Sequence, residues 1–280
     1  MIDSSRLTIP RFLFRGFHSA SGGGSDPRLN SVEGIVPHAF LNWEKPTNIY
    51  EIPHLYNMVN GHLRWDRGTR TAFSSWTADF WLAVRYSTGL NRYIAILDTT
   101  LIESHVRVYH VLSLVHAGIT HMNYTHEWLI YGPIKGPAFH CVPWKDLGNA
   151  GINGLNMPVL DSWKLRVLVA KEIATLFRSL NDRRPDTIIA VTIILACLHE
   201  KWGHREHVAG DLYRELRKHL SEEMKVVQLP SLDCKAPNFG LVNTHMYKQN
   251  HYVEEYMGLL ERIEKQARQD GQKRKRRRED

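Results

Sequence analysis

The chain has 280 residues, 43% hydrophobic and 10% aromatic with eight Trp, which is enough to bury a substantial core in one domain or two and too apolar for a disordered polypeptide. Its formal net charge is +7, but Lys273-Arg274-Lys275-Arg276-Arg277-Arg278 followed by Glu279-Asp280 carries 6 − 2 = +4, leaving 7 − 4 = +3 for the body, so the basic balance describes a tail rather than a folded surface. Composition also argues against secretion and membrane insertion: the start Met1-Ile2-Asp3-Ser4-Ser5-Arg6 has no signal-peptide pattern, no apolar run reaches the ~18 residues of a span, and Cys141, Cys197 and Cys234 form no Cys-x-x-Cys pair.

In chain order, Phe12-Leu13-Phe14-Arg15-Gly16 predicts a strand that carries one arginine. Ser19 to Asp26 predicts a flexible loop. Its Gly22-Gly23-Gly24 lacks both a strand-to-helix Gly-x-Gly-x-x-Gly context and a following Lys-Ser/Thr, so it supports neither a dinucleotide fingerprint nor a P-loop. An irregular stretch with Pro37 and Pro46 runs to about Tyr50. Glu51 to Leu63 predicts a helix that tolerates Pro53 in its first turn. Thr71-Ala72-Phe73-Ser74-Ser75-Trp76-Thr77 predicts a second strand. Thr77 is placed to cap a helix in which Phe80, Ala83 and Val84 recur to about Thr88. Arg92 to Thr99 and Glu127 to Ile134 predict two more strands, the latter preceded by His110, His116, His121 and His126.

Composition turns to Gly, Asn and Pro around Gly148 to Pro158, which predicts a linker over 149–160. Helical periodicity follows over 161–270. One helix is expected from about Asp161 to Asn181 with the stripe Leu165, Val169, Ile173, Leu176 and Leu180, another from Pro185 to about Trp202, a third from near Val208 to Met224, and a fourth from about His251 to Gln269. The apolar run Ile188 to Leu198, interrupted by Thr192, reads as a buried helix. The expected plan is an α+β domain over 1–148, a linker, a helical region over 161–270 and a disordered basic tail over 271–280.

Arg15, the Ser74-Ser75 pair and Glu127 stand in that order on three short apolar runs. An arginine, a hydroxyl pair and a carboxylate delivered by strands to one cleft suit an anionic, ribose-containing ligand. Taken one at a time, Arg15 and Glu127 read equally well as an ordinary ion pair across adjacent strands, and Ser74 as a strand-edge hydroxyl. As an ordered set, aromatic-Arg-Gly, then Phe73-Ser74-Ser75-Trp76-Thr77-Ala78-Asp79-Phe80-Trp81-Leu82-Ala83, then Glu127-Trp128-Leu129-Ile130, they resemble the R-S-E pattern of ADP-ribosyltransferases. Over roughly residues 10–145 the chain also resembles a fungal domain family of unknown function, read as a divergent branch of that fold.

The resemblance implies an ADP-ribosyltransferase-like mixed β core with NAD as substrate. Arg15 would hold a phosphate or ribose, and Gly16 would let the backbone approach the nicotinamide carboxamide. Ser74 and Ser75 would brace the strand and bond the nicotinamide-side ribose. Glu127, the catalytic residue, would accept from the ribose 2′-hydroxyl and stabilise positive charge as the glycosidic bond breaks. Thr125 stands where arginine-modifying members carry Glu or Gln, and Trp76 where Ser or Thr would complete the triplet. These departures leave transfer to a protein or nucleic-acid acceptor, NAD hydrolysis with water as acceptor, or a domain that only binds.

The alternative expectation is a non-catalytic nuclear interaction protein on a degenerate scaffold of this fold. Lys273, Arg274, Lys275, Arg276, Arg277 and Arg278 would engage a nuclear import receptor or contact nucleic acid, giving a nuclear or nucleo-cytoplasmic location. No metal site is expected. His199-Glu200-Lys201-Trp202-Gly203-His204 departs from the zincin spacing because its second His falls five residues after the first, and with Cys197 and His207 it reads first as a His-rich helix end.

Overall fold

The computed structural model describes residues 9–18, 21, 28–41, 54–66, 68–89, 91–155 and 162–177, with isolated positions between 191 and 220. The contacts divide the chain into two compact units, Met1–Asp146 and Leu147–Asp280. The first unit is mixed α+β. Its elements are β1 (Phe12–His18), β2 (Asn30–Ser31), β3 (Gly34–Ile35), α1 (Leu55–Leu63), β4 (Phe73–Thr77), α2 (Phe80–Tyr86), β5 (Arg92–Asp98), β6 (Arg107–His110), α3 (Val111–His116), β7 (Glu127–Tyr131), β8 (Ile134–Lys135) and β9 (Phe139–Pro143).

Six strands form an antiparallel sheet in the order β6-β7-β4-β1-β5-β9, and β2-β3-β8 form a second, smaller one. Side chains alternate across a strand, so each strand serves two cores. On one face, Leu13, Phe17, Trp76, Ala95, Leu97, Val108, Trp128 and Ile130 pack with Ile35 and Ile134 of the small sheet. On the other, Phe73, Leu129 and Tyr131 pack with Val59 and Leu63 of α1 and with Val111 and Leu114 of α3. Phe14 meets Phe80 of α2 edge to face at 5.3 Å on that same side. Both faces being buried, the strands read as continuous apolar runs.

Gly16 explains how closely α2 lies over β1. A Cβ at that position would stand 1.9 Å from the Ala83 carbonyl oxygen and 2.8 Å from the Ser87 Cβ, so a side chain there would push the helix off the strand.

Several boundaries differ from the sequence expectation, for local reasons. Helix α1 spans Leu55–Leu63; residues 51–53 lie outside the described residues. Asp79, not Thr77, caps α2, accepting from the Leu82 N–H at 3.0 Å. Thr77 instead ends β4 and accepts from the Asp79 N–H at 3.0 Å. The expected Glu127–Ile134 strand breaks at Gly132 (φ 101°) and Pro133, so its end, β8, joins the small sheet.

Around the boundary between units lies α4 (Trp144–Asn149), and the second unit contains α5 (Ile152–Leu155) and α6 (Trp163–Leu176). The expected linker therefore holds a helical turn at α5. In α6 the buried face is Arg166, Val167, Ala170, Ile173 and Ala174, while Leu165, Leu168 and Leu176 are exposed. Of the four described residues of the predicted stripe only Ile173 is buried, and leucines that a hydropathy count would bury face outward; Leu180 lies outside the described residues. Of the helix expected over 185–202, Val191, Thr192 and Leu195 are described, helical and buried; the rest of it, most of the one over 208–224, the one over 251–269, the histidines at 199, 204 and 207, and the basic tail lie outside the described residues.

Candidate functional site

Strand β1 is paired unequally on its two edges. With β5 it keeps register over seven residues, from Phe12↔Asp98 to His18↔Arg92, whereas with β4 it pairs only at Phe14↔Thr77. Thr99 N–H bonds the Arg11 carbonyl at 2.7 Å on the β5 edge. Antiparallel alternation then turns the backbone groups of Phe14, Gly16 and His18 toward β4. Those of His18 are closed by Ser21, whose Oγ accepts at 3.0 Å and whose N–H donates at 2.9 Å. Gly16 lies between, its N–H and C=O facing the opening. The Gly132 N–H to Ala72 carbonyl bond (3.2 Å) fixes the same alternation in β4 and turns the Ser75 carbonyl toward β1. The sheet thus splits between Gly16 and Ser75.

Arg15 bridges the split. It leaves β1 on the small-sheet side, donating from Nη1 to the Ser75 carbonyl at 2.7 Å and from Nη2 to Asn30 Oδ1 at 3.3 Å. Asn30 is held by its own Nδ2 donating to the Ser21 carbonyl at 2.6 Å. The buried Arg15 Nε has no partner among the described residues. Burial lowers the guanidinium to about 10, with Glu127 pulling the other way, so Arg15 stays charged at neutral pH. Arg15 and Glu127 form no ion pair and do not sit on adjacent strands, since β4 stands between β1 and β7. That disposes of the simple cross-strand pair.

Ser75 occupies the opposite face of β4, toward α1. Its hydroxyl donates to Glu127 Oε1 at 2.5 Å, and His62 Nε2 lies 2.7 Å from the Ser75 Oγ itself. Because the single Ser75 proton is committed to the carboxylate, His62 must donate from Nε2–H, which leaves Nδ1 without a proton. Burial, reinforced by the positive charge of Arg15, drives the His62 imidazole down to about 3, so it is neutral at pH 7. Burial raises the Glu127 carboxyl above its usual range, against the Ser75 hydrogen bond and the Arg15 charge, which both stabilise the carboxylate. The result is a directed chain, His62 to Ser75 to Glu127, ending on a partly buried carboxylate.

Of the residues predicted for the site, the fold brings together Arg15, Gly16, Ser75 and Glu127. Ser74 is not among them. It points into the small-sheet core, 2% exposed, and its hydroxyl accepts from the Trp76 indole at 2.9 Å. Trp76 is core as well, so neither residue reaches the opening. His62 was not predicted. Its only sequence signal is a histidine next to Leu63 in a short amphipathic helix, and its partner lies 13 residues away across a turn. Thr125 uses its carbonyl to accept from His110 Nε2 at 3.0 Å, so His110 serves the turn before β7. Among the described residues no three His, Cys, Asp or Glu side chains are placed to hold a metal ion, and no helix is long and apolar enough to cross a membrane.

Residues 8–147, half of the chain's 280, match the family described as Domain of unknown function (DUF7587), and the chain belongs to that family. No curated protein and no protein of solved structure matches it.

Proposed function

We propose that this DUF7587 protein cleaves NAD between nicotinamide and ribose and transfers ADP-ribose to a macromolecular acceptor or water, on an ADP-ribosyltransferase-like core of the R-S-E type. The observation that carries this reading is the Ser75–Glu127 hydrogen bond at the mouth of the split between β1 and β4. The Gly16 N–H and C=O face that split, one donor and one acceptor, and match the acceptor and donor of a carboxamide. Arg15 supplies a fixed positive charge and a spare Nε donor for a phosphate or ribose oxygen.

In this reaction the bond between the anomeric carbon and the pyridinium nitrogen breaks, and its electron pair leaves with neutral nicotinamide. The ribosyl carbon becomes oxocarbenium-like. Glu127, already oriented by Ser75, stabilises that charge without reorganising. An oxygen or nitrogen of the acceptor then bonds to the anomeric carbon, and its proton passes to the carboxylate, whose raised proton affinity suits it to receive one. Thr125 offers no second carboxylate, so the acceptor must be one that needs little further activation.

A second reading, a non-catalytic nuclear interaction protein, is favoured by Ser74 being spent on Trp76 and by Thr125. Nicotinamide release from NAD, wild type against Glu127→Gln, separates the two. Release that depends on Glu127 is expected; no release together with no NAD binding overturns the catalytic reading.

A further inference from the structure

Two aromatic rings stand out of the surface at the ends of α1 and α2, and both are largely exposed. Trp65, in the turn after α1, is 73% exposed, and Tyr86, the last residue of α2, is 50% exposed. Their ring centroids lie 5.7 Å apart at 44°. Trp65 holds the left-handed conformation (φ 60°), unusual for a bulky residue. It is kept there by its N–H bond to the His62 carbonyl (3.0 Å) and by the neighbouring Asp66 N–H bond to the Gly61 carbonyl (2.9 Å). The turn is therefore built so that the ring projects. Burial raises the Tyr86 phenol above its usual range, and the charge of Glu127 adds to the effect, as does Tyr124, itself 41% exposed. Tyr86 thus feels the carboxylate charge, and Trp65, beside Tyr86, follows by three residues the His62 that bonds Ser75.

Positive charge flanks both rings. Arg64 precedes Trp65, Arg70 follows in the same loop, and Arg85 precedes Tyr86. All three are exposed, and among the described residues none of their guanidinium groups is in an ion pair or side-chain hydrogen bond. The acid of that loop, Asp66, is occupied by the Gly68 N–H (2.9 Å) and the Thr69 hydroxyl (2.8 Å). Projecting π faces with free guanidinium groups beside them are complementary to a chain that alternates flat rings with negative charges. Bases stack on such rings whatever their sequence, and phosphates meet the arginines. A peptide would need an apolar groove for its side chains, and these rings stand on a turn and a helix end.

We propose that Trp65 and Tyr86, with Arg64, Arg70 and Arg85, form a docking surface for single-stranded nucleic acid, which presents the acceptor to the Glu127 site. The acceptor role rests on the NAD-cleaving reading above; the docking itself does not.

Binding of a fluorescein-labelled oligo(dT) 12-mer, followed by anisotropy between 50 and 200 mM salt, tests it. The full chain is used with Lys273 to Arg278 changed to Ser, so that the tail does not contribute. Trp65→Ala with Tyr86→Ala should weaken binding about tenfold or more, while Trp65→Phe with Tyr86→Phe, which keeps the rings, should stay within about threefold. Arg64→Ser with Arg85→Ser should lower the salt slope by about 1.4, two phosphate contacts on a single strand. No binding once the tail is neutralised, or equal binding by the alanine pair, overturns the proposal. So does displacement of the oligonucleotide by a poly-glutamate peptide at equal charge, which would mark a protein surface. Because binding needs no NAD, ring-dependent binding with neither nicotinamide release nor NAD binding would overturn the catalytic reading and leave the docking surface standing.

Discussion

Ser74 and Ser75 are neighbours in β4 with opposite surroundings, and the contrast extends to the two faces of the whole sheet. Toward the small sheet, Ser74 bonds the Trp76 indole inside a sealed core. Toward α1, Ser75 joins His62 and Glu127 at the edge of a split. One strand thus delivers one hydroxyl to the core and the next to the candidate site, because the side-chain period of a strand is two. Arg15 starts on the small-sheet face and reaches the Ser75 backbone carbonyl where β1 and β4 have parted. A functional residue here is recognised by the face it meets, not by its place in a motif.

The sharpest way to break this comparison is Glu127→Gln, which should lower nicotinamide release about 100- to 1000-fold with NAD affinity nearly unchanged. The same change should not destabilise the fold at neutral pH. A carboxyl whose folded pKa is raised contributes stability at low pH and loses it as pH rises above 4.5, so removing its charge is favourable at pH 7. Urea midpoints at pH 7 check this; a clear loss of stability would put Glu127 on the structural side.

Next in size, Gly16→Ala should cost about 3 kcal/mol or prevent folding, since its Cβ meets backbone of α2 that cannot rotate away. Differential scanning calorimetry would read the loss, and an unshifted Tm would show that α2 is looser over β1 than described.

The pH dependence of stability tests the functional face. His62 excludes a proton in the folded state, with its pKa at about 3 against 6.5 in the unfolded chain. Its contribution is complete above pH 6.5 and falls as pH drops, by about 2 kcal/mol at pH 5. In His62→Gln, which keeps a donor for Ser75, this part of the acid sensitivity should vanish. Urea titrations at pH 7.5 and pH 5 on both proteins isolate it from the other histidines.

Smallest and most discriminating is the serine pair. Ser74→Ala should cost about 1–2 kcal/mol by leaving the Trp76 indole unpaired, with turnover per folded molecule unchanged. Ser75→Ala should lower turnover and leave stability within about 1 kcal/mol. Equal effects from both would erase the distinction between the faces.

Much of this was legible in the chain. The runs around Arg15, Ser74-Ser75 and Glu127 become β1, β4 and β7, because clustered aromatic and β-branched residues suit a pleat buried on both sides. The mixed α+β character of the first half followed from the same runs. In α6, by contrast, periodicity pointed to leucines that the structure leaves exposed.

Four strands, β1, β4, β5 and β7, and the identity of the charges they carry follow from the amino-acid chain alone, whereas β2, β3, β6 and β9 do not. Packing between distant segments sets the rest: β1 and β4 part after one pair, Arg15 crosses there to the Ser75 carbonyl, Ser74 turns inward, and His62 completes the chain to Glu127. Strand formation depends on neighbours a few residues apart, which the sequence displays. The site depends on which edges stay unpaired and which faces meet, and those follow from packing between segments as much as 60 residues apart.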